Sequence, residues 1–329
     1  MPLIERRALL ATSAAAIGAA APAEAAEAAE AIVLTEYWAT KQRNGTDIRL
    51  AMYRKRIGNT ARPVLFLVHG SSTSARSSFD LSVPGHDDYS MMDAFAGYGF
   101  DIWTMDHEGY GKSSRTDGNS DIACGVEDLK AAMTVVARET GQTRCHFLGE
   151  SSGALRAAAF AIAAPQYAGR LVLAAHTYTG KGSPTLAKRA EQVEYYRTHN
   201  TRLRDRAMIE SIFTRDKPGT SDPAMVKYLA DAELKYGEEV PTGTYLDMTA
   251  HLPVVDPAKV PGPVMLIRGE FDGIATVDDL VDFYKLLPNG DRQFVILPGT
   301  AHSVIWGLNH LEFYHAMHAF LTMPPPVGA

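Results

Sequence analysis

Cys145-His146-Phe147-Leu148-Gly149-Glu150-Ser151-Ser152-Gly153 runs without a break into Ala154-Leu155-Arg156-Ala157-Ala158-Ala159-Phe160-Ala161-Ile162. The first four residues have the length and apolarity of a buried strand, and the last nine are strong helix formers. Between them stands a serine in a Gly-x-Ser-x-Gly pentapeptide. A serine hydroxyl is a poor nucleophile unless it projects from a tight strand-to-helix turn toward a base. Such a turn leaves almost no room for side chains two residues to either side. Gly149 and Gly153 supply that clearance, and the following helix would aim its positive end at the serine. The pentapeptide by itself also fits a plain Gly/Ser loop; the strand before it and the helix after it favour the elbow.

Outward from this turn the chain alternates strands and helices. Ile32 to Tyr37 and Ile48 to Tyr53 bracket the turn Asn44-Gly45 as a leading hairpin. Val64-Leu65-Phe66-Leu67-Val68 is a continuous apolar run, which predicts a strand buried on both faces. A short helix near Met91 to Phe95 closes at Gly97, and Phe100 to Met105 gives the next strand. Ile122, Val126, Leu129, Met133 and Val136 recur at steps of four and three, predicting an amphipathic helix that stops at Gly141. Leu171 to Ala175, Val264 to Ile267 and Phe294 to Leu297 are further strand-length apolar runs. The pattern predicts an α/β fold with a mostly parallel sheet covered by helices on both sides. From 176 to 260 the alternation lapses into polar helical stretches, including Thr185 to Asn200 and Pro223 to Tyr236. We read this as an inserted helical cap, with the core formed by 32–175 and 261–325. A cap at this point would lie over the carboxyl ends of the strands, where open α/β sheets carry their sites.

Composition narrows the partners. The 329 residues, 46% of them hydrophobic, suffice for one large core with a cap, and the formal net charge of -6 disfavours a nucleic-acid surface. A small organic molecule is the expected partner. The two cysteines, Cys124 and Cys145, disfavour a disulfide framework or a Cys-based metal site and read as small buried hydrophobes. Residues 1–25 stand apart. Arg6-Arg7, then Ala8-Leu9-Leu10 and an Ala-rich run ending near Ala21, resemble a twin-arginine export signal. Ala21-Pro22-Ala23 and Ala23-Glu24-Ala25 offer cleavage sites. The expectation is an exported, periplasmic or secreted protein without stable membrane insertion; the competing reading is an unprocessed Ala/Glu arm.

An activated serine needs a base and a group to orient that base. His302 lies in Leu297-Pro298-Gly299-Thr300-Ala301-His302, the loop leaving the last strand. Asp272 lies in Ile267-Arg268-Gly269-Glu270-Phe271-Asp272, just past the strand before it. Ser, Asp, His is the chain order expected of this arrangement.

With these residues in place, the chain resembles the α/β-hydrolase fold superfamily over roughly residues 32 to 322. Val68-His69-Gly70-Ser71 is similar to the family's oxyanion loop, and Asp106 to Ser113 to its strand-4 loop. Gly149 to Gly153 matches its elbow, Gly269 to Asp272 its acid loop, and Gly299 to His302 its histidine loop. The resemblance implies Ser151 as nucleophile, His302 as base and Asp272 as orienting acid. It also implies that the backbone N–H groups of Ser71 and Ser152 form the oxyanion hole. There are departures. Glu108 stands where many relatives carry Arg, Glu150 precedes the nucleophile without an assigned role, and Glu270 competes with Asp272 as the acid. His69 reads as bonding within its own turn. His310, His315 and His318 read as surface or packing residues on a terminal helix.

No paired-His metal spacing and no Gly-x-Gly-x-x-Gly follow the early strands, so neither metal nor cofactor is expected. The implied activity is hydrolysis of a carboxylic ester or lactone. Carbon–carbon bond hydrolysis, perhydrolysis, acyl transfer and amide cleavage remain open on the same triad, and a non-catalytic receptor is the reading from another class. Candidate pocket residues are His176, Tyr178 and Trp306. Tyr195, Tyr196, Tyr228 and Tyr245 are further candidates for the cap's inner face, although any one of them reads first as packing between cap helices. Cap aromatics and apolar residues suggest a medium-sized, partly hydrophobic acyl or aromatic ester, while Lys181, Lys188, Arg189 and Arg197 would favour an acidic one; solvated helix faces explain those charges equally well.

Overall fold

In the computed structural model, residues 31–324 are described. The expected export signal and its cleavage sites lie outside them. Ten strands form in chain order: β1 Ile32–Arg43, β2 Thr46–Ile57, β3 Val64–Val68, β4 Asp101–Met105, β5 Cys145–Glu150, β6 Ala168–Ala174, β7 Thr201–Leu203, β8 Glu239–Pro241, β9 Val264–Gly269 and β10 Arg292–Leu297. Eight of them make one sheet in the order β1-β2-β4-β3-β5-β6-β9-β10. β2 is antiparallel to both its neighbours, while the pairs from β4 across to β10 are parallel. The α/β sheet expected from alternation is therefore present, with the leading hairpin turning at Asn44-Gly45.

All five residues of β3 are buried because helices cover both faces of the sheet. Phe66 points into one core with Leu129, Met133, Leu155, Phe160 and Phe283. Leu65 and Leu67, one pleat away, point into the other with Phe79, Phe95, Phe313 and Phe320. The helix Ile122–Thr140 starts at Asp121, whose carboxylate accepts the Cys124 N–H at 2.7 Å, and ends against Gly141 as expected.

Between β6 and β9 the structure departs from the expected helices in two ways. The stretch from Thr185 to Asn200 is two helices, Pro184–Ala190 and Val193–Thr198, and not one. A small antiparallel pair, β7 with β8, was not legible in three-residue segments of ordinary polarity. This region is tied to the loop after β3 by buried charge. Arg204 pairs with Glu233, whose carboxylate also accepts the Ser74 N–H at 2.6 Å and the Ser74 hydroxyl at 2.8 Å. Such a pair holds position chiefly through the penalty for leaving either charge alone in the interior.

Candidate active site

The turn after β5 brings Ser151 out at the carboxyl edge of the sheet with φ 56° and ψ −122°. This is a strained conformation for a residue bearing a Cβ, costing on the order of 1–3 kcal/mol. The surroundings enforce it. The Ser151 N–H donates to the Ala174 carbonyl at 2.8 Å. A Cβ on Gly149 would overlap the backbone of Gly153 and Ala154, and one on Gly153 would overlap the carbonyls of Val68 and His69. The glycine spacing thus serves close approach of the helix Ser152–Ala163 to β3 and β5.

Three of the residues singled out in the sequence meet here. The Ser151 hydroxyl lies 3.0 Å from His302 Nε2, and His302 Nδ1 lies 2.8 Å from Asp272 Oδ1. All three are buried. Asp272 Oδ1 also accepts the N–H groups of Ile274 at 2.8 Å and Ala275 at 3.0 Å. Burial opposes its charge, but His302 and these two N–H donors outweigh that and hold the carboxyl below its ordinary range. Glu270, the competing acid, is exposed and accepts the Gly299 N–H at 2.9 Å, away from the imidazole.

Ser71 and Ser152 are joined by their side chains. The Thr244 hydroxyl donates to Ser71 Oγ at 2.8 Å, and Ser71 donates to Ser152 Oγ at 2.8 Å. Tyr110 donates to the Ser71 carbonyl at 3.0 Å. These bonds tie the loop after β3 to the first turn of the elbow helix, so the two backbone amides implied as an oxyanion hole belong to one braced unit. His69 does bond within its own turn, Nδ1 to the Gly70 carbonyl at 2.8 Å.

The pocket at Ser151 is lined by Gly70 to Thr73, Glu150, Arg189, Ile212, Arg215, His302, Ser303 and Trp306. Trp306 is therefore where it was expected. His176 and Tyr178 are not. The Asp279 carboxylate accepts the N–H groups of Tyr178 at 2.8 Å, Thr179 at 2.9 Å and Gly180 at 3.1 Å, drawing this segment toward the helix Val277–Leu286. Both rings then pack edge-on against Phe283, at 4.5 and 5.5 Å. Burial, partly offset by Asp279, lowers the His176 pKa to about 4, so it is a neutral core residue. Of the pocket wall, Arg215 carried no signal in the sequence, and Arg189 only a general one.

Glu108 marks a second buried charge cluster. Glu108, Cys124 and Asp128 hold side-chain ligand atoms within 4.8 Å of one another, as a metal site could. Lys41 Nζ stands among them, 2.8 Å from Glu108, 2.5 Å from Asp128 and 3.2 Å from Cys124 Sγ. The ammonium takes the place a cation would need, and the departure at Glu108 is matched by Lys41 and Arg43 from β1. Cys124 is thus a half-buried member of a polar cluster, a correction to its reading as a buried hydrophobe; Cys145 fits that reading.

Glu150 has its side chain against Gly70 and lines the Ser151 pocket. Burial pushes its pKa from 4.5 up to about 7, reinforced by Asp272 and opposed by His302 and Arg215. A carboxyl whose folded pKa lies above its unfolded one makes the native state less stable as pH rises through that interval. Glu150→Gln is accordingly expected to raise stability at pH 8, by at most about 3 kcal/mol, and to leave it unchanged near pH 4.5. Thermal melts of both proteins at the two pH values check this, and an equal difference at both would assign the effect to packing.

The chain is 31% identical over 155 residues to a 2-hydroxy-6-oxononadienedioate/2-hydroxy-6-oxononatrienedioate hydrolase of Burkholderia vietnamiensis (strain G4 / LMG 22486), covering 44% of this chain and 47% of that one. It spans less than half the length of the curated relatives it matches. Among solved structures, a 2-hydroxy-6-oxo-6-phenylhexa-2,4-dienoate hydrolase from Rhodococcus sp. strain RHA1 superposes with a TM-score of 0.66 at 17% identity, over 89% of this chain and 100% of that one. An enol-lactonase from Burkholderia xenovorans LB400 gives 0.62 at 16% identity, over 86% and 100%. At these identities the structures establish the fold alone. A family model described as serine aminopeptidase, S33, matches residues 60–307, most of the chain. The chain therefore belongs to this serine aminopeptidase S33 family of hydrolases, within the α/β-hydrolase superfamily.

Proposed function

We propose that the protein is a serine hydrolase that cleaves a carboxylic ester or lactone through an acyl-enzyme. The observation that carries this reading is the unbroken relay from Ser151 through His302 to Asp272. Ser151 Oγ attacks the substrate carbonyl while His302 Nε2 takes its proton. His302 returns that proton to the leaving oxygen, and the acyl group stays on Ser151. Asp272 holds the imidazole with Nδ1 protonated and Nε2 free to accept. The N–H groups of Ser71 and Ser152 receive the charge that develops on the carbonyl oxygen. Water activated by His302 then releases the acid and restores the hydroxyl.

Carbon–carbon bond hydrolysis is the second reading. A 2-hydroxy-6-oxononadienedioate, named for the Burkholderia relative, has no ester or amide bond, so its hydrolysis has to break a carbon–carbon bond. The same triad could serve that chemistry here.

A panel of chromogenic esters, lactones and amides beside a 2-hydroxy-6-oxodienoate separates the two readings when each reaction is repeated after treatment with a serine-reactive phosphonate. Ester or lactone turnover abolished by the phosphonate is the expected result. Turnover of the dienoate alone would move the protein to the second reading, and turnover of amides alone to amide cleavage.

A further inference from the structure

Next to the narrow space at Ser151, about 30 Å³, opens a second cavity of about 530 Å³. Arg189, Ile212 and Arg215 border both. The inner space admits about one small group, so the body of any substrate whose carbonyl reaches Ser151 extends past the two arginines. Lys188 and Arg202 line the outer cavity as well.

Of these arginines, only Arg215 meets a carboxylate among the described residues. Of the arginines buried elsewhere, Arg54, Arg170 and Arg204 each meet a carboxylate, while Arg156 and Arg268 donate to backbone carbonyls. Arg189 meets none among the described residues; its guanidinium faces the ring of Tyr245 at 5.1 Å, and Arg202 faces the same ring at 4.6 Å. Arg215 places Nε 3.1 Å from Asp216 Oδ1 but leaves Nη2 buried without a partner. Two carboxylates border these cavities, Asp216 at Arg215 and Glu150 beside Ser151. Burial, together with the like charges of Arg215 and Arg202, brings the Arg189 pKa down to about 10. Three guanidiniums held this close, with Asp216 paired to only one of them, store repulsion that an anion would relieve.

We propose that Arg189 and Arg215 form a carboxylate-binding subsite, so that the esters or lactones cleaved at Ser151 are those carrying a second, free carboxylate. This deepens the hydrolase reading and rests on it. A planar guanidinium presents paired N–H donors to the two oxygens of a carboxylate, which fixes orientation as well as supplying attraction. With the carboxylate held at the junction of the cavities, the ester carbonyl of the same molecule is directed to Ser151.

The test compares mono-(4-nitrophenyl) adipate with its methyl ester, which differs only in the free charge. In the native enzyme the acid is expected to exceed the methyl ester in kcat/KM by about 10- to 100-fold, the range for a hydrogen-bonded charge partly shielded from water. Arg189→Met should cut that ratio at least tenfold, and Arg189→Lys should recover part of it. Arg189 is the first choice because its loss strands no acid, whereas Arg215→Met leaves Asp216 unpaired. A second arm needs no turnover: Ser151→Ala protein is titrated with adipate and with inorganic phosphate, followed by Trp306 fluorescence. Saturable adipate binding weakened at least tenfold by the added Arg189→Met change supports the subsite. A native enzyme that prefers the methyl ester overturns the subsite and leaves the hydrolase reading standing. So does adipate binding that is absent, indifferent to Arg189, or weaker than phosphate binding. Adipate binding without turnover of any ester would keep the subsite and remove the hydrolase reading.

Discussion

Ser151→Ala is expected to lower kcat toward ester substrates by roughly 10⁴- to 10⁶-fold, and to abolish labelling by a phosphonate. The neighbouring hydroxyl cannot substitute. Ser152 is fully buried and its Oγ is engaged by Ser71, which is itself bonded to Thr244. Of the two serines, Ser151 is the one within hydrogen-bond reach of His302. Only Ser151 has glycine at both the second position before it and the second after it. Ser152→Ala is expected to retain the phosphonate label while loosening the brace between the elbow helix and the loop after β3. Mass mapping of the adduct decides: a label on Ser152, or full activity in Ser151→Ala, would overturn the assignment.

The second large effect is expected at the acid. Asp272→Asn keeps the size of the side chain but lets the amide donate toward His302, which favours the tautomer with its proton on Nε2, facing Ser151. A base in that state cannot take the serine proton, and a loss in kcat of about 10⁴-fold is expected. His302→Ala should lose at least as much. The double variant should lose little more than His302→Ala alone, because the residues act as one unit and the remaining rate comes from the oxyanion donors and binding. Glu270→Gln is the control. Glu270 is exposed and bonded to the Gly299 N–H, so its activity should stay near that of the native enzyme. Collapse in Glu270→Gln with near-normal rates in Asp272→Asn would move the acid. Turnover of one chromogenic ester by all four variants is the measurement.

The central elements were legible because they rest on short-range constraints. Five consecutive apolar residues make β3 a strand buried on both faces wherever it lies. Steps of three and four apolar residues bring the helix Ile122–Thr140 to within a residue or two of its observed ends. The elbow was legible because a serine on a strained turn packed against a neighbouring strand admits only glycine at two fixed positions. His302 and Asp272 could be named because each follows the end of a recognisable strand.

Choices among neighbours depended on the rest of the molecule. Asp272 and Glu270 are two residues apart in one loop, and only the course of the chain after β9 turns one toward His302 and the other toward Gly299. His176 and Tyr178 follow a strand at the correct edge of the sheet, yet Asp279, about a hundred residues on, draws their segment away from Ser151. Arg189 and Arg215 lie in separate polar stretches whose charges look like any solvated helix surface, and converge only when the chain between β6 and β9 closes over the site. Lys41 and Glu108 likewise meet across the sheet edge and the helix after it. By itself the sequence determined the strands of the eight-stranded sheet, the elbow and the three residues that meet at the site, because sterics and periodicity act over a few residues. The tertiary structure decided which distant charges share one desolvated cavity, because the energy of a buried charge depends on every group packed around it, however far apart those groups lie in the chain.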